Sequence, residues 1–225
     1  MQVHANAAVS VDGKLATRQR RQIAISGPDD FARVDRLRAR MDGVAVGVGT
    51  VLADDPSLTV PSSVATAGQP ARIVLDSRGR TPSAARVLSD EAPSYVLVSD
   101  AAPAAECERL RTAGATVVEA GGADRVDVAA GFTRLSSAGF QRVLVEGGGE
   151  VLFSLFDAEL VDVLTLYVAS SIIGGREAPT LVDGEGFVDR FPELRLEEVS
   201  RVDDGLLCRY DVTGWRTVPA GSTGE

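Results

Sequence analysis

Six short runs rich in Val, Ile, Leu and Ala, at 2–11, 43–48, 71–76, 94–98, 115–119 and 142–146, have the length and composition of buried strands. Helical patterns near 28–41, 102–113, 125–138 and 149–157 fall between several of them. This alternation predicts an α/β fold, a mostly parallel sheet flanked by helices. After residue 160 the pattern changes to apolar β segments at 162–169, 194–202 and 206–213, the last two separated by Asp203-Asp204-Gly205. That spacing predicts a C-terminal antiparallel hairpin. The Pro/Ser/Ala-rich stretch 61–70 reads as loop and the tail after Trp215 as loose. No internal repeat or domain boundary interrupts the chain, so a single domain over 1–225 is expected.

Composition narrows the picture. Of 225 residues, 44% are apolar but only 5% aromatic, so the core must come from aliphatic side chains. A net charge of −9 without a basic stripe argues against a nucleic-acid partner, whose binding needs clustered cations. Cys107 and Cys208 are isolated, which excludes a disulfide framework and suggests packing thiols in a reduced compartment. With His4 as the only histidine and no C-x-x-C, the usual zinc ligands are missing and no metal is expected. No apolar signal core and no run of 18 apolar residues is present, so neither export nor a membrane span is expected, and cytoplasm is the default.

Candidate chemistry sits where strands end. Residues 142–157 run from a buried strand through Glu146-Gly147-Gly148-Gly149-Glu150 into an amphipathic helix. A helix start offers free N–H groups, and glycines let a phosphate approach them, so this is a pyrophosphate cradle or simply a tight turn. Glu146 either faces a ligand at the strand's carboxyl end or holds the glycine loop. Residues 43–56 repeat the device, a strand opening into Gly47-Val48-Gly49-Thr50, with Asp54 and Asp55 adding carboxylates or ordinary turn chemistry. The helix after Ser26-Gly27-Pro28 has a hydroxyl or glycine cap and a first-turn Pro. With Phe31 at zero, Val34, Met41 and Leu37 fall at about 300°, 280° and 240°, and Arg38 at about 340° lies in that apolar stripe. Its guanidinium needs a protein carboxylate or a ligand phosphate. Arg33, Arg36 and Arg40 cluster near 140–200°, roughly the solvent side, and Asp30 reads as a first-turn carboxylate. Asp76-Ser77-Arg78-Gly79-Arg80 leaves another strand as an anion grip, suited to a 2′-phosphate, or as a solvated turn. Lys14, the sole lysine, follows the tight turn at Asp12-Gly13.

Taken together, Ser10-Val11-Asp12-Gly13-Lys14, Ser26-Gly27-Pro28, Arg36-Leu37-Arg38-Ala39, the run Gly49-Thr50-Val51-Leu52-Ala53-Asp54-Asp55-Pro56-Ser57-Leu58-Thr59-Val60, Leu75-Asp76-Ser77 and Val145-Glu146-Gly147-Gly148 resemble the riboflavin-biosynthesis reductase family. The resemblance extends to about residue 213 and implies a dihydrofolate-reductase-like fold. It also implies a homodimer that uses NADPH to reduce the phosphoribosylamino side chain of a phosphorylated pyrimidine. By position, Thr50, Asp54, Ser77 and Gly147 to Glu150 would meet NADPH, with Asp76 and Arg78 beside them, while Arg38 and Glu146 would meet substrate. Hydride would reach C1′ of the ring-opened imine, with Glu146 and Lys14 as candidates for handling the proton. Pro61 stands where many bacterial relatives carry an Arg, so a phosphate contact falls to Arg78, Arg80 or Arg176 or is lost. Lacking deaminase ligands, the chain is expected to take the 2,5-diamino pyrimidine, with the deaminated uracil form as the alternative. A dihydrofolate reductase and a non-enzymatic nucleotide-sensing module are the other readings of the fold.

Overall fold

A computed structural model describes residues 1–19, 23–65 and 68–218. Its strands are β1 (Gln2–Ser10), β2 (Gly43–Gly47), β3 (Ala71–Leu75), β4 (Ser94–Val98), β5 (Thr116–Glu119), β6 (Arg142–Val145), β7 (Val163–Ala169), β8 (Arg190–Val202) and β9 (Gly205–Thr217). The helices are α1 (Pro28–Arg38), α2 (Val48–Asp54), α3 (Ala104–Thr112), α4 (Val128–Ser137) and α5 (Gly149–Asp157). Every position of β2 and β3 is buried, as continuous apolar strands must be when helices cover both sheet faces.

The strands form one sheet of order β5-β4-β3-β2-β6-β1-β7-β9-β8. From β5 to β7 all neighbours run parallel, and β9 joins antiparallel to both β7 and β8. The expected parallel sheet with a C-terminal hairpin is thus the fold observed. On one face α4 and α5 bury Phe132, Leu135, Leu152, Leu155 and Phe156 against Val3, Ala5, Val143 and Val145. On the other, Val48 and Val51 of α2 and Cys107 and Leu110 of α3 pack on Val44, Val46, Val74 and Val96, with Leu37 and Met41 at the margin. Arg72 is fully buried in β3, where its guanidinium donates to the carbonyl oxygens of Arg86, Ser89 and Ala92 and so fixes the connection to β4.

Several local expectations change. Residues 48–54 form helix α2, a segment outside the four helical patterns read from the sequence. Two turns are too short to display a helical period, and its glycine obscures the Val48/Val51 pair that anchors it. The hairpin is longer than its apolar pattern, because Arg190 pairs with Thr217 and Trp215 packs on Phe187 and under the Arg190 guanidinium at 4.4 Å. The stretch after Trp215 therefore begins as strand, whereas residues 219–225 lie outside the described residues.

Helix α1 carries Arg38, and its seating differs from the simple wheel. Phe31 is 54% exposed while Asp30 is 3% exposed, so the inward face is turned toward Asp30 and Leu37. Arg33, expected on the solvent side, instead donates to Asp30 at 2.7 Å and to Asn6 of β1 at 2.9 Å. Asp30 is accordingly an inward ion partner rather than only a first-turn carboxylate. The N-cap is Gly27, without a side-chain cap of its own. Asp203, in the β8–β9 turn, accepts from the amides of Asp29 and Asp30 at 3.2 and 3.1 Å. A Cβ on Gly27 would lie 2.5 Å from Asp203 Cγ, so glycine is what admits this cap. Asp203→Ala should remove about 1 kcal/mol of stability. The expected signature is a lower urea midpoint at unchanged slope.

Candidate active site

Parallel strands send their connections out at one edge, and ligands in open α/β sheets bind there. The carboxyl ends of β1, β6 and β2 are neighbours, and they deliver Lys14, Glu146 and the Gly47 corner. Two backbone bonds tie the last two together: Glu146 N donates to Ala45 O at 2.9 Å and Gly47 N to Gly147 O at 2.9 Å. The Gly47 and Gly147 corners, separate in sequence, are one junction.

Arg38 and Glu146 meet in a two-point ion pair, Nε to Oε1 at 2.8 Å and Nη2 to Oε2 at 2.6 Å. Their side chains are 21% and 11% exposed. Arg38 also lies 3.8 Å from Asp35. Burial pulls the guanidinium's pKa down, but the hydrogen bonds and charge of Glu146 outweigh it and leave the pKa raised. The anionic partner that Arg38 needs is therefore a protein carboxylate. Because both carboxylate oxygens accept from Arg38, the pair presents a fixed edge of donors and acceptors to its surroundings.

The start of α5 fits a phosphate. Gly147 has φ +115 and no Cβ on Gly147 or Gly148 would meet an atom within 4 Å, so open space lies over this backbone. The peptide between them is cis. Gly148 is the N-cap and brings no side chain to the free N–H groups of the first turn. Gly149 differs, since a Cβ there would sit 2.5 Å from Thr180 O and 2.6 Å from Asp183 Oδ2. That glycine admits the 180–183 segment. Asp183 in turn accepts from Thr180 N at 2.9 Å and Thr180 Oγ1 at 2.6 Å. The Glu150 side chain is exposed and accepts from Arg125 at 2.8 Å.

The remaining expected residues separate into open and committed groups. Asp76 is fully buried, and its Oδ2 accepts from Thr81 N at 2.6 Å and Thr81 Oγ1 at 2.7 Å, both within its own turn. Oδ2 thereby shapes the turn, while the buried Oδ1 has no hydrogen-bond partner among the described residues and lies 3.8 Å from Arg80 Nε. Ser77 is half-buried and its Oγ accepts from Val126 N at 3.1 Å, leaving the hydroxyl proton to donate elsewhere. Arg78 is exposed and only loosely paired, 3.8 Å from Asp124. Thr50 is half-buried in the first turn of α2, and Asp54 closes that helix with a pKa raised by burial. Lys14 bridges to Thr180 and its Nζ donates to Ala178 O at 3.2 Å. No hydrogen bond or ion pair joins Lys14 to Glu146 among the described residues. The structure does not bring these two proton-handling candidates into contact.

Pattern reading missed the carboxylates that organise the rim. Asp12 accepts from Ser10 Oγ at 2.7 Å and from the amides of Ile173 and Gly174 at 3.0 and 2.7 Å, tying the β1 turn to the loop after β7. Its only signal was the Asp-Gly turn, which cannot name partners 161 residues away. The Ser10 hydrogen bond, followed by those amides, lowers the Asp12 pKa to about 2. A depressed carboxylate keeps its tether above the unfolded value and loses it as pH falls through the folded one. The amide resonances of Ile173 and Gly174 should therefore titrate with a midpoint near 2, not near 3.8. In Asp12→Ala that titration should vanish.

Comparison with known proteins places this arrangement. Residues 1–208 match the family model described as the RibD C-terminal domain. The chain is 40% identical over 212 residues to the 2,5-diamino-6-ribosylamino-4(3H)-pyrimidinone 5′-phosphate reductase of Archaeoglobus fulgidus, covering 91% of this chain and 94% of that one. It is 42% identical over 212 residues to the protein of the same name from Methanothermobacter thermautotrophicus, covering 93% and 97%. Among solved structures, Acinetobacter baumannii RibD superposes with a TM-score of 0.76 at 24% identity, over 94% of this chain and 58% of that one, a likeness of fold. A glycine corner beside a conjoined Arg–Glu pair at the carboxyl edge of this sheet, with a family match over nearly all described residues, leads to one conclusion: the chain belongs to the RibD C-terminal domain family.

Proposed function

We propose that the protein uses NADPH to reduce the phosphoribosylamino side chain of 2,5-diamino-6-(ribosylamino)-4(3H)-pyrimidinone 5′-phosphate to the ribitylamino form. The observation that carries this reading is the Arg38–Glu146 pair set beside an open glycine cradle at one sheet edge. The two archaeal relatives, near-complete in coverage, bear the name of that reaction and favour the diamino pyrimidine over the deaminated uracil form.

In this reading Gly147 and Gly148 hold the pyrophosphate against the start of α5, and Thr50 and Asp54 line the same junction from α2. Ser77 donates to the 2′-phosphate and Arg78 swings from Asp124 to grip it, while Asp76 is turned inward and does not repel it. When bound, the cofactor supplies hydride to C1′ of the ring-opened sugar imine. Arg38 and Glu146 grip the sugar's polar groups, so the reacting carbon is oriented by a pair whose geometry is already set. Held by two guanidinium bonds, Glu146 works as an acceptor that orients a hydroxyl rather than as a free acid. Lys14, bonded to the Ala178 carbonyl, carries positive charge at the neighbouring strand end.

The assembly we propose is a cytoplasmic homodimer. Among the described residues no helix is long and apolar enough to cross a membrane. Leu194, Leu196 and Val199 of β8 and Leu206 of β9 are exposed large apolar residues. By strand alternation and pairing they share one sheet face, which supports its covering by a second copy.

Steady-state kinetics with both pyrimidines and both nicotinamide cofactors test the assignment. A higher kcat/KM for the diamino form and for NADPH is expected, and preference for the uracil form or for NADH would overturn the respective part. Arg38→Met should lower kcat/KM for the pyrimidine roughly 10- to 100-fold, the worth of charge-assisted hydrogen bonds at about 1.5–3 kcal/mol, with NADPH affinity unchanged. Gly148→Val should do the reverse, weakening NADPH binding in a folded protein.

A further inference from the structure

Helix α1 has a second functional flank. Around the helix, Arg36 lies about 160° and Arg33 about 140° from Arg38, so they point away from the Glu146 pair, and Arg40 follows in the turn after the C-cap Ala39. They border a groove of about 360 Å³ whose walls and floor also include His4 of β1, Thr165 of β7, Arg209 of β9 and Ser200 of β8. The groove thus gathers four arginines, with Glu198 the single acidic residue on its lining. This concentration stands out in a chain of net charge −9.

Two of the four arginines are already committed. Arg33 pairs with Asp30 at 2.7 Å, and Arg209 lies 3.4 Å from Asp211. Arg36 and Arg40 have no carboxylate within ion-pair distance among the described residues. On the floor, Thr165 is 5% exposed and shares a 2.6 Å hydrogen bond with His4 Nε2. Hydroxyls and unpaired guanidiniums in a concave site are the donor set of a phosphate group. At about 360 Å³ the open groove has room for a small ligand.

The place of the groove separates it from the catalytic edge. His4 pairs near the amino-terminal half of β1, and the active-site groups leave its carboxyl end. Pairing puts Thr165 opposite Arg209 and Leu207 opposite Ser200 on the α1 side of the sheet, while Leu206, Cys208 and Val199 project from the other side. The groove and the exposed apolar face are therefore on opposite faces of the same strands.

We propose that this groove is a second binding site, for a small phosphate-bearing anion held chiefly by Arg36 and Arg40. His4 reports on it without ambiguity, being the only histidine. Burial, with Arg209 and Arg33 adding to it, holds its pKa down at about 4, so the ring is neutral at pH 7 and an anion beside it raises the midpoint.

The experiment is a proton NMR titration of the His4 ring signals with inorganic phosphate, inorganic pyrophosphate and ADP, run beside sedimentation velocity. Saturable movement of the His4 signals and an upward shift of its titration midpoint are expected with at least one anion. Pyrophosphate without ADP points to a free polyanion, and ADP alone to a nucleotide. The variants R36Q and R40Q should each weaken binding about tenfold and keep wild-type pyrimidine reduction. Both positions are exposed, and thermal unfolding of each variant checks that the fold is retained. No saturable shift with any of the three, or equal shifts in the variants, overturns the proposal. So does loss of the native oligomeric state in R36Q or R40Q, which would make the groove a subunit contact.

Discussion

The parallel pairing of β2, β6 and β1 is the constraint on which the rest of the molecule depends. Strands that run the same way must release their loops at the same edge. Three buried strands in register therefore deliver the Gly47 corner, Glu146 and Lys14 side by side, from positions far apart in the chain. The backbone bonds from Glu146 to Ala45 and from Gly47 to Gly147 continue the ladder beyond the strands and weld two glycine corners into one junction. Little side-chain chemistry is needed to make this glycine junction, because the sheet makes it.

The electrostatics of the site follow from how α1 is seated on this frame. Its start is capped by Asp203 of the distant hairpin turn, its middle is held by Arg33 on Asp30 and Asn6, and its end presents Arg38 to Glu146. Removing one partner of such an ion pair leaves a poorly solvated charge, so the pair is coupled to the positions of both α1 and β6. The C-terminal hairpin is thereby linked to the site through the Asp203 cap on α1.

The hairpin also divides the surface chemistry. Strand alternation, with a register shift between Leu196 and Glu198 that brings Val199 to the side of Leu196, sends Leu194, Leu196, Val199 and Leu206 to one face and Glu198, Ser200, Leu207 and Arg209 to the other. One face carries these apolar side chains, with Arg201 beside them, and the other completes a polar groove with α1. A single pair of strands extending the sheet supplies both because side chains repeat every second residue.

Periodicity and turn chemistry determined the α/β class, the parallel sheet, the terminal hairpin and the glycine corner, because these depend on local composition and on which residues tolerate a tight turn. The placement of Arg38 within a largely apolar stripe likewise showed that it needed an anionic partner. The sequence could not say that the partner is Glu146, that Asp76 turns inward to Thr81, or that Gly149 leaves room for Asp183. Nor could it show Arg33 turned inward or α1 capped from residue 203, since wheel angles give a face but not its neighbours. Apart from the Asp76 turn, each of these is a contact between segments tens to more than a hundred residues apart, and only the packing of the sheet decides which distant groups arrive at the same point.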